Sequence, residues 1–249
     1  MGSWITPHKI VDAPVRLFCF PHAGGGASAY RDWIRALPGS IYAIQPPGRE
    51  NRLCEPLLYS LEETARGAAL AILPWTRRPY ALFGHSLGAR VAFETIRELR
   101  RLGAPMPVRF FVSGSPSPEH EESRPLHELD DEDFIRELGR FGTPHAEALQ
   151  HSELMRLFMP ILRADFTVDE TYAYRPGTPI SVPITAFCGS EDAEATPDQI
   201  EAWRGYTTGS FEMHTLPGGH FFLADPANGM TDRLRGLLAH DMAACPAAC

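Results

Sequence analysis

Tyr80-Ala81-Leu82-Phe83-Gly84-His85-Ser86-Leu87-Gly88-Ala89 is the stretch on which the fold turns. Tyr80 to Phe83 is a short apolar run suited to a central strand. Ala89 to Arg101 then places Val91, Ala92, Ile96 and Leu99 on one face at helical spacing. Between them lies G-x-S-x-G, a strained strand-to-helix turn that lifts a serine hydroxyl above the edge of a sheet. Gly84 and Gly88 suit such a turn because no Cβ obstructs the approach of strand and helix. Five residues alone could be an ordinary tight glycine turn; with strand and helix on either side, Ser86 is expected to be a nucleophile.

A serine nucleophile needs a base, and the base needs an orienting acid. In α/β hydrolases the chain order is Ser, Asp or Glu, then His. Val182 to Cys188 reads as a buried strand running into Gly189-Ser190-Glu191-Asp192, which puts Asp192 on the loop at a strand's end. Asp192 is preferred to its neighbour Glu191 and to Glu194 as the acid. Phe211 to Leu216 alternates like a late strand and leads into Pro217-Gly218-Gly219-His220. His220, on the loop after that strand, is expected to be the base. Asp192 lies 106 residues after Ser86 and His220 a further 28, enough for an insertion and then one helix and strand. His214 falls inside a strand pattern and reads as structural. His85 neighbours the nucleophile but points elsewhere, to pack or to line a pocket.

The developing oxyanion needs N–H donors. Leu87, the residue after the nucleophile, supplies one, and a loop after an early strand supplies the other. Val15 to Phe20 is that strand, and Pro21-His22-Ala23-Gly24-Gly25-Gly26 is the loop, with Ala23 as second donor and Gly24 next in line. Gly24-x-Gly26-x-x-Ala29 loosely matches a dinucleotide fingerprint. No βαβ unit ends in an acid about 20 residues later, as such a site needs.

The 249 residues, 44% hydrophobic and 22% charged, suit one large globular domain. A net charge of −8 argues against nucleic-acid partners and adhesion to anionic membranes. Arg97, Arg100 and Arg101 cluster at a helix C-terminus, where cations complement the helix dipole. Five cysteines lack framework or zinc spacing. Cys19 and Cys188 fall in core strands, and Cys245 and Cys249 in an Ala/Pro tail. With no signal segment and no apolar run of about 18 residues, a cytoplasmic protein is expected.

Strand-like and helix-like segments alternate from Val15 to Ser113, with a helix over 28–37, a strand over 41–45, an amphipathic helix over 61–73 and a strand over 108–113. That rhythm predicts an α/β fold with a mostly parallel sheet covered on both faces. It breaks at Ser115-Pro116-Ser117-Pro118 and resumes near Ile180, leaving a helical insertion over the strand ends. Helices are expected over 131–140, opened by the acidic Asp130-Asp131-Glu132-Asp133, and over 152–163. Leu154, Leu157, Phe158, Ile161 and Leu162 form the apolar face of the latter. That face either packs on the core or, as expected for at least one of Leu154, Leu157, Phe158 and Ile161, lines the substrate channel.

Taken together, FCFPHAGGGASAY (18–30), QPPGRENR (45–52), FGHSLGARVAFE (83–94), FVSGSPSP (111–118), LMRLFMPILRADFTVDETYAY (154–174), FCGSEDAEATPDQIEAW (187–203) and LPGGHFFL (216–223) resemble the type II thioesterases of polyketide and nonribosomal peptide assembly lines. The matching stretches run in the family's order along nearly the whole chain. The resemblance implies an α/β-hydrolase domain over residues 1–249 with a helical lid at about 120–175. It also implies removal of misprimed or stalled acyl groups from the phosphopantetheine arm of acyl or peptidyl carrier proteins by a monomer that needs no cofactor or metal. It gives the same triad, Ser86, Asp192 and His220; His22, Gly24, His85, Phe158 and Phe221 are expected around the substrate. Pro46 stands where the family usually has an aliphatic residue. Arg49 and Arg52 either face an acidic carrier or form structural salt bridges. A general carboxylesterase or peptidase of the same fold, and a hydrolase-fold protein that only captures ligand, are the alternatives.

Overall fold

The computed structural model describes residues 3–7, 14–37, 40–142 and 152–244. Its centre is a seven-stranded sheet: β1 (Ile5–Pro7), β2 (Arg16–Phe20), β3 (Ile41–Ile44), β4 (Tyr80–His85), β5 (Arg109–Ser113), β6 (Ile184–Gly189) and β7 (Phe211–Leu216). The strand order is β1-β3-β2-β4-β5-β6-β7, and only β1 is antiparallel to its neighbour. Five of the strands, β2 to β6, are almost wholly buried, which is why they read as continuous apolar runs rather than alternating ones.

Pleating sends alternate side chains to opposite faces. Phe18, Phe20, Tyr80 and Leu82 join one apolar cluster with α2 (Leu61–Ile72) and α3 (Leu87–Arg101). Leu17, Cys19, Ala81 and Phe83 join a second cluster with α1 (Arg31–Ala36) and the C-terminal helix, which contributes Met230, Leu234 and Leu238. The elbow strand β4 is therefore sandwiched at the middle of the sheet.

Between β5 and β6 the chain leaves the sheet for α4 (Asp131–Leu138) and α5 (Ser152–Glu170). A small separate cluster of Leu126, Phe134, Leu138, Met155 and Phe166 holds the two together. Asp130 caps α4, its carboxylate accepting from the Asp133 N–H at 2.9 Å, so the acidic run serves a helix start. The short α6 (Pro197–Glu201) between β6 and β7 and the longer α7 (Met230–Ala244) after β7 complete the layers.

Several boundaries differ from the sequence reading. The expected helix over 28–37 is a 3₁₀ turn, Ala27–Tyr30, followed by α1. The helix expected over 152–163 runs on to Glu170, because the charged residues of its second half are not solvent-facing but paired across the fold. Cys245 and Cys249 lie outside the described residues. Among the described residues, no helix is long and apolar enough to cross a membrane.

Candidate active site

Ser86 has φ 55° and ψ −127°, a conformation that L-residues rarely adopt and that a nucleophile elbow requires. The turn is possible only because its flanks are bare. A Cβ on Gly84 would lie 2.3 Å from the Gly88 carbonyl oxygen, and one on Gly88 would lie 2.3 Å from that of Phe20. Backbone cannot yield as a flexible side chain can, so both positions demand glycine. The Ser86 N–H donates to Ser113 O at 2.9 Å, which ties the elbow to the next strand.

His220 brings Nε2 to 3.1 Å from Ser86 Oγ, and its Nδ1 lies 3.0 Å from Asp192 Oδ2. Asp192 is fully buried at its side chain. Its Oδ1 also accepts from the backbone N–H groups of Glu194 (3.0 Å) and Ala195 (3.2 Å). Those bonds give the buried carboxylate the hydrogen-bond partners it needs. Glu191, by contrast, is exposed. Gly189 lets the two loops meet, for a Cβ there would press on Gly218 O at 2.5 Å. His214 stays in β7, its ring stacked on Phe187 at 5.5 Å.

His85 is wholly buried between aromatic neighbours. Its ring lies 5.1 Å from that of His220 and 5.7 Å from that of Phe221, with Nδ1 on Ser113 Oγ at 3.0 Å. Burial, followed by the nearby His220 and His22, holds its pKa well below the ordinary imidazole value, so it stays neutral. Gly114, at φ 52°, makes room for it: a Cβ would sit 2.7 Å from His85 Cε1.

A cleft of about 780 Å³, open mouth included, lies over Ser86 and His220. His22, Ala23 and Phe221 form one wall, and Leu138, Phe141, Leu162 and Phe166 from the insertion form another. The charged side chains Arg90, Arg140, Asp169, Glu170 and Glu194 also line the cleft. Arg90 is buried and bonds His120 O (2.7 Å) and Asp169 Oδ1 (3.1 Å), yet its Nε has no hydrogen-bond partner among the described residues. Arg140 Nε lies 3.0 Å from Glu194 Oε2 but without hydrogen-bond alignment, a pair held by charge.

The expected substrate contacts divide. His22 and Phe221 line the cleft, whereas His85 is sealed beneath it. Gly24 is outside the lining, and its N–H is committed to Asp165 Oδ2 at 2.7 Å, which removes it as an alternative oxyanion donor. Phe158 is not brought to the cleft. It is 40% exposed, beside Leu154 and Leu157, which are also exposed. The expected apolar stripe is split: Leu154, Leu157 and Phe158 face outward, Ile161 is buried, and Leu162 joins Phe166 and the buried acid Asp165 on the inward face, an acid that hydrophobic periodicity assigns to solvent. Arg49 and Arg52 are buried too: Arg49 pairs with Asp165, and Arg52 with Glu55 and the Gln45 carbonyl. Neither presents a charge to a carrier. Sequence reading missed the cleft residues Phe141, Arg90 and Arg140, which no local pattern marks.

A mostly parallel sheet with an elbow at Ser86 after its central strand, and Asp192 and His220 on the loops after β6 and β7, is the α/β-hydrolase architecture. The thioesterase-domain family model matches residues 15–237, and the chain belongs to the thioesterase family. It is 39% identical over 241 residues to the thioesterase PikA5 of Streptomyces venezuelae, covering 94% of this chain and 86% of that one. Among solved structures, RedJ, a thioesterase of the prodiginine pathway in Streptomyces coelicolor, superposes with a TM-score of 0.82 at 41% identity, covering 92% of this chain and 86% of that one. YbtT, the type II thioesterase of the yersiniabactin pathway, gives 0.84 at 32% identity, covering 93% and 95%.

Proposed function

We propose that this enzyme hydrolyses acyl thioesters on the phosphopantetheine arm of acyl or peptidyl carrier proteins, clearing misprimed or stalled groups from a polyketide or nonribosomal peptide assembly line. The observation that carries the reading is the hydrogen-bonded series Asp192–His220–Ser86 at the floor of a cleft roofed by the insertion. The names of its relatives supply the substrate class. The insertion acts as a lid on a single hydrolase domain, and the enzyme works as a cytoplasmic monomer.

In the proposed cycle His220 Nε2 takes the Ser86 proton as Oγ attacks the thioester carbonyl. Asp192, bonded to Nδ1, fixes the tautomer and stabilises the imidazolium. The Leu87 N–H lies in the first turn of α3, where helix geometry leaves donors without intrahelical acceptors. Together with the Ala23 N–H it receives the oxyanion, a contribution of roughly 3–4 kcal/mol per donor in comparable sites. The tetrahedral intermediate expels the pantetheine thiol, which leaves with the proton from His220. Water then attacks the acyl-Ser86 ester, giving its proton to His220, and the free acid departs as Ser86 is reprotonated.

The test is a panel of acyl-carrier thioesters and simple esters, with release of free thiol or alcohol as the readout. A preference for carrier-bound thioesters is expected. Faster turnover of simple esters would favour a general esterase, and failure of a fluorophosphonate to modify Ser86 would favour a ligand-capturing protein.

A further inference from the structure

The loop that carries Ala23 is held in place by the insertion, at one residue. Gly24 has φ 77°, and a Cβ on it would lie 2.6 Å from Leu162 Cδ2, so α5 rests directly on this backbone. Asp165 is three residues on from Leu162 and shares its helix face. Its Oδ2 accepts from Gly24 N at 2.7 Å, and its Oδ1 accepts from Arg49 Nη2 at 2.8 Å. Arg49 Nη1 closes the second half of the fork on Oδ2 and also donates to Gly25 O at 3.2 Å. One step along the same loop, Gln45 Oε1 accepts from Ala27 N at 2.7 Å while Gln45 Nε2 donates to Arg49 O at 3.0 Å.

Both members of the Arg49–Asp165 pair are more than nine-tenths buried. Taking two charges out of water is costly, and an apolar pair of similar volume is often as stable or more so. What a forked guanidinium–carboxylate contact supplies is direction, because two parallel N–H···O bonds admit one orientation. Here that direction is passed to the Gly24 and Gly25 peptides. Neither group touches the cleft in which the acyl carbon must lie, since Asp165 and Arg49 are absent from its walls.

We propose that Asp165, with Arg49, is a positioning residue for the oxyanion hole: it sets the Ala23–Gly24 backbone toward Ser86 only while α5 is seated on the loop. The proposal rests on the reading of Ala23 N–H as an oxyanion donor. With α5 seated, the Gly24 N–H and the Arg49 guanidinium share one acceptor. If α5 lifts, Gly24 loses that acceptor and its seat under Leu162, and Arg49 loses its counter-ion. Lid docking and transition-state stabilisation are then one event, so an enzyme with its lid displaced binds acyl groups without cleaving them efficiently.

The experiment compares the parent enzyme with Asp165→Asn, Arg49→Lys and the apolar double variant Arg49→Met/Asp165→Leu. It measures kcat, KM and melting temperature, together with the rate at which a fluorophosphonate modifies Ser86. Asp165→Asn is expected to lower kcat by about 10²–10³-fold, the loss typical of one misplaced oxyanion donor, with KM changed less than about threefold. Phosphonylation should slow in parallel, since its tetrahedral adduct uses the same hole. Arg49→Lys keeps the charge but loses the fork and should show the same split. The double variant separates positioning from stability: melting temperature should recover relative to either single variant while kcat stays low. Recovery of kcat with melting temperature would make the pair merely structural and overturn the proposal, as would parent-like kcat in Asp165→Asn. Failure of the parent itself to turn over thioesters or to be labelled at Ser86 would instead remove the hydrolase reading.

Discussion

The two halves of the cleft are built by different physics. The lower half, carrying Ser86 and His220, stands on strands whose side chains are almost completely buried, with glycines at contacts where backbone meets backbone. The upper half, the insertion, has an apolar cluster of its own and meets the hydrolase body through apolar contacts such as Val168 and through three charged pairs: Asp165 to Arg49, Asp169 to Arg90, and Glu194 to Arg140. Burial of apolar surface is non-directional and gives a scaffold that stays assembled. Buried ion pairs contribute little net stability but strongly favour one arrangement over others. The lower half is thus set by backbone and apolar packing, while the seat of the upper half also depends on the direction of a few ion pairs.

Ser86→Ala gives the largest effect expected from the lower half. Loss of the nucleophile in a comparable triad costs about 10⁶-fold in kcat, and melting should be unchanged because the side chain is small. A folded variant that kept more than a few per cent of thioesterase turnover would take the chemistry away from the elbow. Asp192→Asn should follow at about 10⁴-fold, since an amide favours the wrong imidazole tautomer. Glu191→Gln, made in parallel on the exposed neighbour, should leave kcat within about twofold, as changes at exposed sites usually do; the reverse ranking would unseat Asp192.

The upper half is tested by two phenylalanines on one helix. Phe166→Ala opens the cleft wall and should move kcat/KM toward bulkier acyl groups, by about 1–3 kcal/mol of discrimination. It should also lower stability by up to about 3–5 kcal/mol, the range for a buried ring. Phe158→Ala, on the exposed side, should leave the acyl ranking unaltered. A changed ranking in Phe158→Ala would mean that α5 rotates in solution to present its other face.

The smallest effect is one of pH. His85 is held neutral in the fold, whereas an unfolded histidine takes a proton near pH 6.5. As pH falls through that value the unfolded state gains a proton that the folded state refuses, so His85 makes the protein less stable in acid. The drop in melting temperature between about pH 7.5 and about pH 5.5 should therefore shrink in His85→Gln. An equal drop in both proteins would place the acid sensitivity elsewhere.

Much of the lower half was legible because its signals are local. A strand buried on both faces reads as an apolar run, and an elbow must carry glycines at fixed offsets from Ser86. Loop positions after strands 6 and 7 then pointed to Asp192 and His220. The short edge strand β1 and the helix α7 escaped notice, one for its three residues, the other for its weak amphipathic pattern. The burial of Arg49, open in the sequence between a carrier contact and a structural salt bridge, and the outward turn of Phe158, expected at the channel, have one cause. Periodicity reports which residues are apolar, and here the inward face of α5 and the loop beneath it are built on charges that find partners more than a hundred residues away.

The longer strands, the elbow and the candidate positions Ser86, Asp192 and His220 could be read from the chain alone, because apolar runs and glycine turns are local patterns even though the pairings that join them are not. The folded chain alone reveals which face of α5 looks inward, that Arg49 is a buried partner of Asp165 and that charged side chains line the cleft. Those choices depend on pairing free energies between distant groups. Such energies change sign with burial, and no stretch of sequence carries the burial of its future partner.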